Sequence, residues 1–240
     1  MLDNIKLDRI LFLDIETVPA SAQYQKLSDE FKEFWDKKSI PFRKEDQNAE
    51  EVYQRAGIYA EFGKIICISF GMINYRDKTR NLRIKSIYND DEKLILLEFS
   101  ELLKKLNKKG DLLLCAHNGK EFDFPYIARR MLINKITLPA VLDVAGLKPW
   151  ETKFLDTLEL WKFGDYKHYT SLNLLTHLLG IPSPKTDLDG SKVAIVYYND
   201  HDLERISRYC QSDVVAVVQL ILSYKGEELI KKENIERVEN

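Results

Sequence analysis

The stretch ILFLDIETVPA, residues 10–20, places two carboxylates where chemistry can occur. Its apolar run, Ile10-Leu11-Phe12-Leu13, leads straight into Asp14, Ile15 and Glu16. The β-branched and aromatic residues, closed by Pro19, predict a short buried strand. Residues two apart on a strand share a face, so Asp14 and Glu16 stand side by side at the end of a core strand. Like charges this close repel, and their burial is costly unless a cation compensates them. Asp-x-Glu is a poor signal alone. It recurs at Asp90/Glu92, at a helix start, and at Asp202/Glu204, in a polar segment. Both repeats read better as caps or solvated faces.

Two further groups have suitable residue types. HNGKEFDFP, residues 117–125, follows the apolar run DLLLCA, and ligand groups gather where strands end and loops begin in α/β sheets. Pro125 fits a helix N1 position, which sets Asp123 just before a helix start, where it serves equally well as a cap. YCQSD, residues 209–213, precedes VVAVVQLIL. Tyr209 and Asp213 are four apart and share a helix face, although an ordinary surface pair has the same spacing.

The elements that must position these groups follow from periodicity. Strands are predicted at 9–16, 65–73, 82–88 and 111–119. IICISFGMI (65–73) is continuously apolar, whereas LRIKSIY (82–88) alternates, as a strand with one wet face does. A helix capped by Asp90/Asp91 carries apolar residues from 94 to 106 and ends at Gly110. Helices are also expected at 28–37, 48–56 and 124–133. Residues 153–160, 171–179, 189–198 and 200–224 give a mostly helical second half with one short strand. The order predicts an α/β layered domain with a mixed sheet.

A single domain over residues 1–240 is expected, with a polar and aromatic insertion at 20–60 and a charged, frayed tail at 225–240. At 45% hydrophobic and 31% charged, the composition excludes disorder as the main story. No apolar run of membrane-spanning length occurs, and MLDNIKLDRI lacks a signal-peptide core, so a cytoplasmic location without membrane association is expected. Cys67, Cys115 and Cys210 are odd in number and widely spaced, and read as reduced core thiols. The formal charge of −2 disfavours a protein that coats duplex DNA.

In order, Asp-x-Glu on a first strand, Asn-x-x-x-Phe-Asp after a later strand and Tyr-x-x-x-Asp on a late helix resemble the DEDD superfamily of 3′–5′ exonucleases. Tyr209, four before Asp213, matches the DEDDy subtype; the His subtype needs His five before, where this chain has Arg208. The resemblance covers about residues 9–222. The stretch YTSLNLLTHLLGIPSPKTDLDGSKV (169–193), leading to YCQSDV, is similar to the exonuclease domain of family B DNA polymerases.

The resemblance implies an RNase H-like mixed β-sheet flanked by α-helices. It implies catalytic residues Asp14, Glu16, Asp123, Tyr209 and Asp213, with the four carboxylates as metal ligands. All-oxygen donors select hard ions, so the expected cofactor is a pair of Mg2+ or Mn2+ ions. The implied partner is a single-stranded nucleic acid 3′ end, with DNA favoured over RNA, contacted by Thr17, Asn118 and Phe122. For Phe122, core packing is an equal alternative. Lys185 as a phosphate contact is set against a solvated loop lysine, and Asp156 near the site against a helix cap. His117 reads as a hydrogen-bonded structural residue. The aromatics of 20–60, including Trp35, Phe31, Phe34, Phe42, Tyr53 and Tyr59, either cover the sheet or line a strand-binding cleft. An exoribonuclease and a non-catalytic scaffold of the same fold remain as alternatives.

Overall fold

In a computed structural model of the chain, which describes residues 2–77, 79–165, 169–182 and 188–238, the first apolar run forms β1 (Ile10–Pro19). Its alternation divides the core. Leu11, Leu13 and Ile15 face one layer of helices, and Ile10 and Phe12 face the other. Both faces are covered, which is why the strand reads as continuously apolar. β2 (Gly63–Arg76) and β3 (Thr79–Tyr88) follow as an antiparallel meander.

The short strands β4 (Leu113–Ala116) and β5 (Phe154–Asp156) run parallel to β1 on its other side. With β6 (Ile235–Val238) beside β3, the sheet order is β5-β4-β1-β2-β3-β6. This is a mixed α/β sheet flanked by helices, RNase H-like, as the resemblance implied.

One face is covered by α2 (Glu92–Leu106) and α3 (Asp123–Ile133), after α1 (Asp29–Ser39) earlier in the chain. Short helices α4 (Thr157–Lys162), α5 (Leu172–Leu178) and α6 (Val193–Ile195), the last running into a π turn, lead to α7 (Leu203–Tyr224). Helix α7 carries the opposite face, burying Val214, Val217, Val218 and Ile221 against Ile10 and Phe12. A polar ladder also crosses this layer. Gln211 Nε2 donates to Ser86 Oγ at 2.9 Å, and Ser86 shares a 2.7 Å hydrogen bond with Ser69. Buried polar groups need such partners, so the ladder fixes the register of α7 on the sheet. Among the described residues no helix is long and apolar enough to cross a membrane.

Four expectations change. Residues 48–58 form turns and a 3-10 helix (Tyr53–Ile58), not an α-helix. Gly57 lies so close to Pro19 that an added Cβ would sit 3.1 Å from the proline ring, and this approach to β1 tightens the segment. The aromatics of 20–60 do not lie across the sheet. Trp35 is fully buried in a separate cluster with Tyr53, Phe62, Phe42 and Tyr59, its Nε1 donating to Ala49 O at 2.8 Å, while Phe31 and Phe34 remain exposed.

Glu92 is no solvated helix-start acid, since its carboxylate is buried against Arg130. Described residues 225–238 of the C-terminal segment do not fray. Gln219 brackets buried Ile230 through both its backbone groups, at 2.7 and 3.0 Å, and the chain continues into β6. Leu229, Ile230 and Ile235, scattered among charges, supply that anchor.

Candidate active site

Strand β4 pairs only with Ile10–Phe12 of β1, so β1 outruns its parallel neighbour. The carboxyl ends of β1, β4 and β5 therefore open a crevice, the usual place for ligands in such sheets. The edge of β1 exposes a backbone donor there, and Asp123 fills the gap: Ile15 N–H donates to its Oδ1 at 3.1 Å. Helix α3 starts at Asp123 itself. Pro125, expected at N1, is its third residue, where the missing N–H is still no loss.

The loop before Asp123 is pinned from beneath. Asp156, 3% exposed at the end of β5, accepts Asn118 N–H at 2.9 Å and Lys120 N–H at 3.0 Å. It also caps α4 through Leu158 N–H at 2.9 Å, so both readings of Asp156 describe one side chain. Asn118 adopts a left-handed backbone (φ 62°), which Asn tolerates better than most residues. Gly119 is required, because a Cβ there would lie 2.5 Å from the Ala116 Cβ.

Asp14 and Glu16 alternate with Leu13 and Ile15 and so face α7. There Cys210 Sγ donates to Asp14 O at 3.3 Å. One helical turn on, Asp213 approaches Asp14 and Glu16 closely enough to repel both, and Tyr209 O–H bonds to its carboxylate. A β-bulge between Glu16 and Thr17 breaks the ladder right after the two acids; bulges re-aim side chains in this way.

The structure thus brings Asp14, Glu16, Asp123, Asp213 and Tyr209 together. Asn118 and Phe122 border them. The Phe122 ring is half-buried, packed on the core and 5.3 Å from the Tyr126 ring. Thr17 turns its side chain away, and its hydroxyl bonds to Tyr126. His117 is bridged between Thr157 Oγ1 and Thr170 O, both at 2.9 Å, and burial lowers its pKa, as suits a neutral structural imidazole. Lys185 lies outside the described residues.

Two residues near the site had escaped sequence reasoning. Partial burial and then Asp123 raise the pKa of Tyr169, which opens the family-like stretch 169–193 without being marked there as a site residue. Cys210 appeared to be one more core thiol.

Electrostatics sets this cluster apart from the surface acids. Burial, then Asp213, pushes the carboxyls of Asp14 and Glu16 well above the usual range. Burial raises Asp123 to about 7, against the pull of its own and Ile15 backbone N–H groups. It raises Asp213 to about 6, against the Tyr209 hydroxyl. No lysine, arginine or histidine is among the groups that shift them most. Crowded, buried oxygen donors with no counter-charge among the described groups that shift them most fit hard divalent cations.

Each raised carboxyl binds its proton more tightly when folded than when unfolded. The metal-free protein is therefore most stable below pH ~4 with respect to these groups, and loses that contribution as pH rises through 6 and 7. A tenfold change in proton affinity corresponds to ~1.4 kcal/mol, and in a chain this size 1 kcal/mol moves Tm by ~2–4 °C. In EDTA, these groups are expected to lower Tm by several degrees between pH 5 and 8. Excess Mn2+ should abolish most of the decline in calorimetric scans. A slope unchanged by Mn2+ would argue against cation binding at this cluster.

Comparison with known proteins agrees with this fold. Residues 58–234 match the family model described as a predicted 3′–5′ exonuclease related to the exonuclease domain of PolB; Asp14 and Glu16 lie ahead of the matched range. Among solved structures, the chain is similar to the family B DNA polymerase of the hyperthermophilic archaeon Pyrobaculum calidifontis. The TM-score is 0.53 at 14% identity, over 90% of this chain and 24% of the polymerase. The chain thus spans about a quarter of that protein, and the likeness is one of fold. With most of its length matched, the chain belongs to the family of predicted 3′–5′ exonucleases related to the PolB exonuclease domain.

Proposed function

We propose that this protein is a metal-dependent 3′–5′ exonuclease that removes nucleotides from single-stranded DNA ends. The observation carrying the proposal is the convergence of four carboxylates from β1, α3 and α7, with no cation among the described groups that shift them most and a tyrosine hydroxyl bonded to one of them. Asp14, Glu16, Asp123 and Asp213 would hold Mg2+ or Mn2+ ions, as a pair. Bound there, such ions supply an activated water and neutralise charge developing on the phosphate and leaving oxygen.

The protein's own groups bind, orient and exclude. Asp123 keeps one oxygen on Ile15 N–H, which fixes the carboxylate that would help hold the ions. Tyr209 has its pKa raised by burial and by Asp213, Glu16 and Asp14. It therefore stays protonated and, with its one proton directed to Asp213, orients the attacking water through its hydroxyl oxygen as an acceptor, not as a base. Tyr209→Phe is expected to lower kcat by ~10–100-fold while Mn2+ affinity, measured by calorimetry, stays within about twofold. A comparable fall in Mn2+ affinity would instead make Tyr209 part of the ion site.

Substrate contacts come from the crevice rim: Asn118 on the sugar-phosphate, Thr17 through its backbone, and the outer edge of Phe122 stacking on a base at ~1–3 kcal/mol. Gripping a frayed end with ions and a few contacts suits a near-neutral chain.

The direct test incubates 5′-labelled single-stranded DNA and RNA of one sequence with the protein in Mg2+, Mn2+ or EDTA, with Asp213→Ala as control. A metal-dependent ladder shortening from the 3′ end of DNA, absent in the variant, is expected. A ladder on RNA alone would reassign the sugar, and no ladder from folded, metal-bound protein would point to a non-catalytic role.

A further inference from the structure

The sulfur of Cys210 lies among the carboxylates. Its Sγ, an oxygen of Asp14 and an oxygen of Glu16 all lie within 4.8 Å of one another. A second thiol adjoins them: Cys67 stands opposite Glu16 in the β1–β2 ladder and within hydrogen-bonding reach of Cys210. Both thiols are free and buried. Donors around a tetrahedral zinc ion sit ~3.6 Å apart, given bonds of ~2.0–2.3 Å, so shifts of about 1 Å would close these three onto one ion.

We propose that Cys210, Asp14 and Glu16 form a second, thiophilic metal site that takes Zn2+ or Cd2+ and competes with the hard ions of the nuclease. Its inhibitory consequence rests on the proposed nuclease function; the binding itself does not. Thiolate selects soft or borderline ions, and Mg2+ has no use for it. On binding, the Cys210 S–H bond breaks, its proton passes to solvent, and the sulfur electron pair forms the metal bond, with no change of oxidation state. Cys67 borders the remaining coordination position. The two modes exclude each other because both need Asp14 and Glu16. Trace Zn2+ should therefore inhibit in the presence of excess Mg2+.

The test titrates Cd2+ into the reduced, metal-free protein and follows thiolate-to-metal charge-transfer absorption in the ultraviolet, a readout independent of activity. One equivalent of Cd2+ is expected to saturate the band. Cys210→Ser should remove it, and Cys115→Ser, in β4 opposite Phe12, should leave it unchanged. If Cys210→Ser fails to fold, wild-type protein decides: bound Cd2+ should shield Cys210 from alkylation, read by mass spectrometry. Given nuclease activity, the Zn2+ concentration for half-inhibition in Mg2+ should rise at least ~10-fold in Cys210→Ser. Absence of the band in folded wild-type protein, its survival in Cys210→Ser, or undiminished alkylation would overturn the thiophilic site. A Cd2+ band with no nuclease activity on any substrate would uphold this site while defeating the proposed function.

Discussion

Asp14→Asn is expected to lower single-strand exonuclease turnover by at least ~10^3-fold, the scale seen when one member of a cooperating catalytic set is lost. The same substitution should raise, not lower, Tm in EDTA. Burial and three neighbouring acids hold the Asp14 carboxyl well above its ordinary pKa, so a neutral isostere relieves repulsion at neutral pH. Opposite signs for activity and stability distinguish an ion ligand from a structural acid, whose loss would depress both. Turnover on labelled DNA and a melting scan on one preparation decide the matter. Substantial remaining activity would remove Asp14 from the site; loss of activity with a lower Tm would make the defect one of folding.

The second large effect concerns the fold beneath the site. Arg130 of α3 makes a two-pronged pair with Glu92 of α2, Nε to Oε1 at 2.8 Å and Nη2 to Oε2 at 2.5 Å. A third nitrogen reaches Ala60 O at 2.9 Å, and Glu92 also accepts Ile65 N–H at 2.7 Å. Glu92 is 7% exposed and Arg130 9%. Arg130→Met strands a buried carboxylate, which costs ~3–5 kcal/mol and lowers Tm on the order of 10 °C. Adding Glu92→Gln removes the orphaned charge while retaining an acceptor for Ile65, and should recover about half the loss. A single variant within ~1 kcal/mol of wild type in denaturant titrations would show that the pair is solvated and contributes little.

How much of this was legible in the sequence depended on range. Long, doubly covered elements such as β1, β2 and α7 declare themselves through unbroken apolar runs, ILFL, IICI and VVAVV. Residues 48–58 misled, since a helical pattern says nothing of the close approach of Gly57 to Pro19. Glu92 looked like a helix-start acid because its partner is 38 residues away. The charged C-terminal segment hid three apolar anchors spread too thinly to register as a strand.

In the site, residue types and spacing marked Asp14, Glu16, Asp123, Tyr209 and Asp213 as a set, but only through a family pattern. Local chemistry could not show that they meet. Asp156 was undecidable, because a strand-end carboxylate can hold a loop or cap a helix, and it does both. Cys210 was invisible, because a helical thiol packed on a strand reads as core whether or not a carboxylate flanks it.

The reach of β1 beyond β4 affects how the protein is born. The crevice needs the first strand and the last long helix together; Cys210 meets Asp14 across 196 residues of chain. Contacts of such separation form late in folding. A nascent chain still lacking α7 can build much of the sheet yet carry only part of the acid cluster. The proposed cleaving capacity would therefore arrive only with completion of the fold, and a product ending before α7 would lack Tyr209, Cys210 and Asp213.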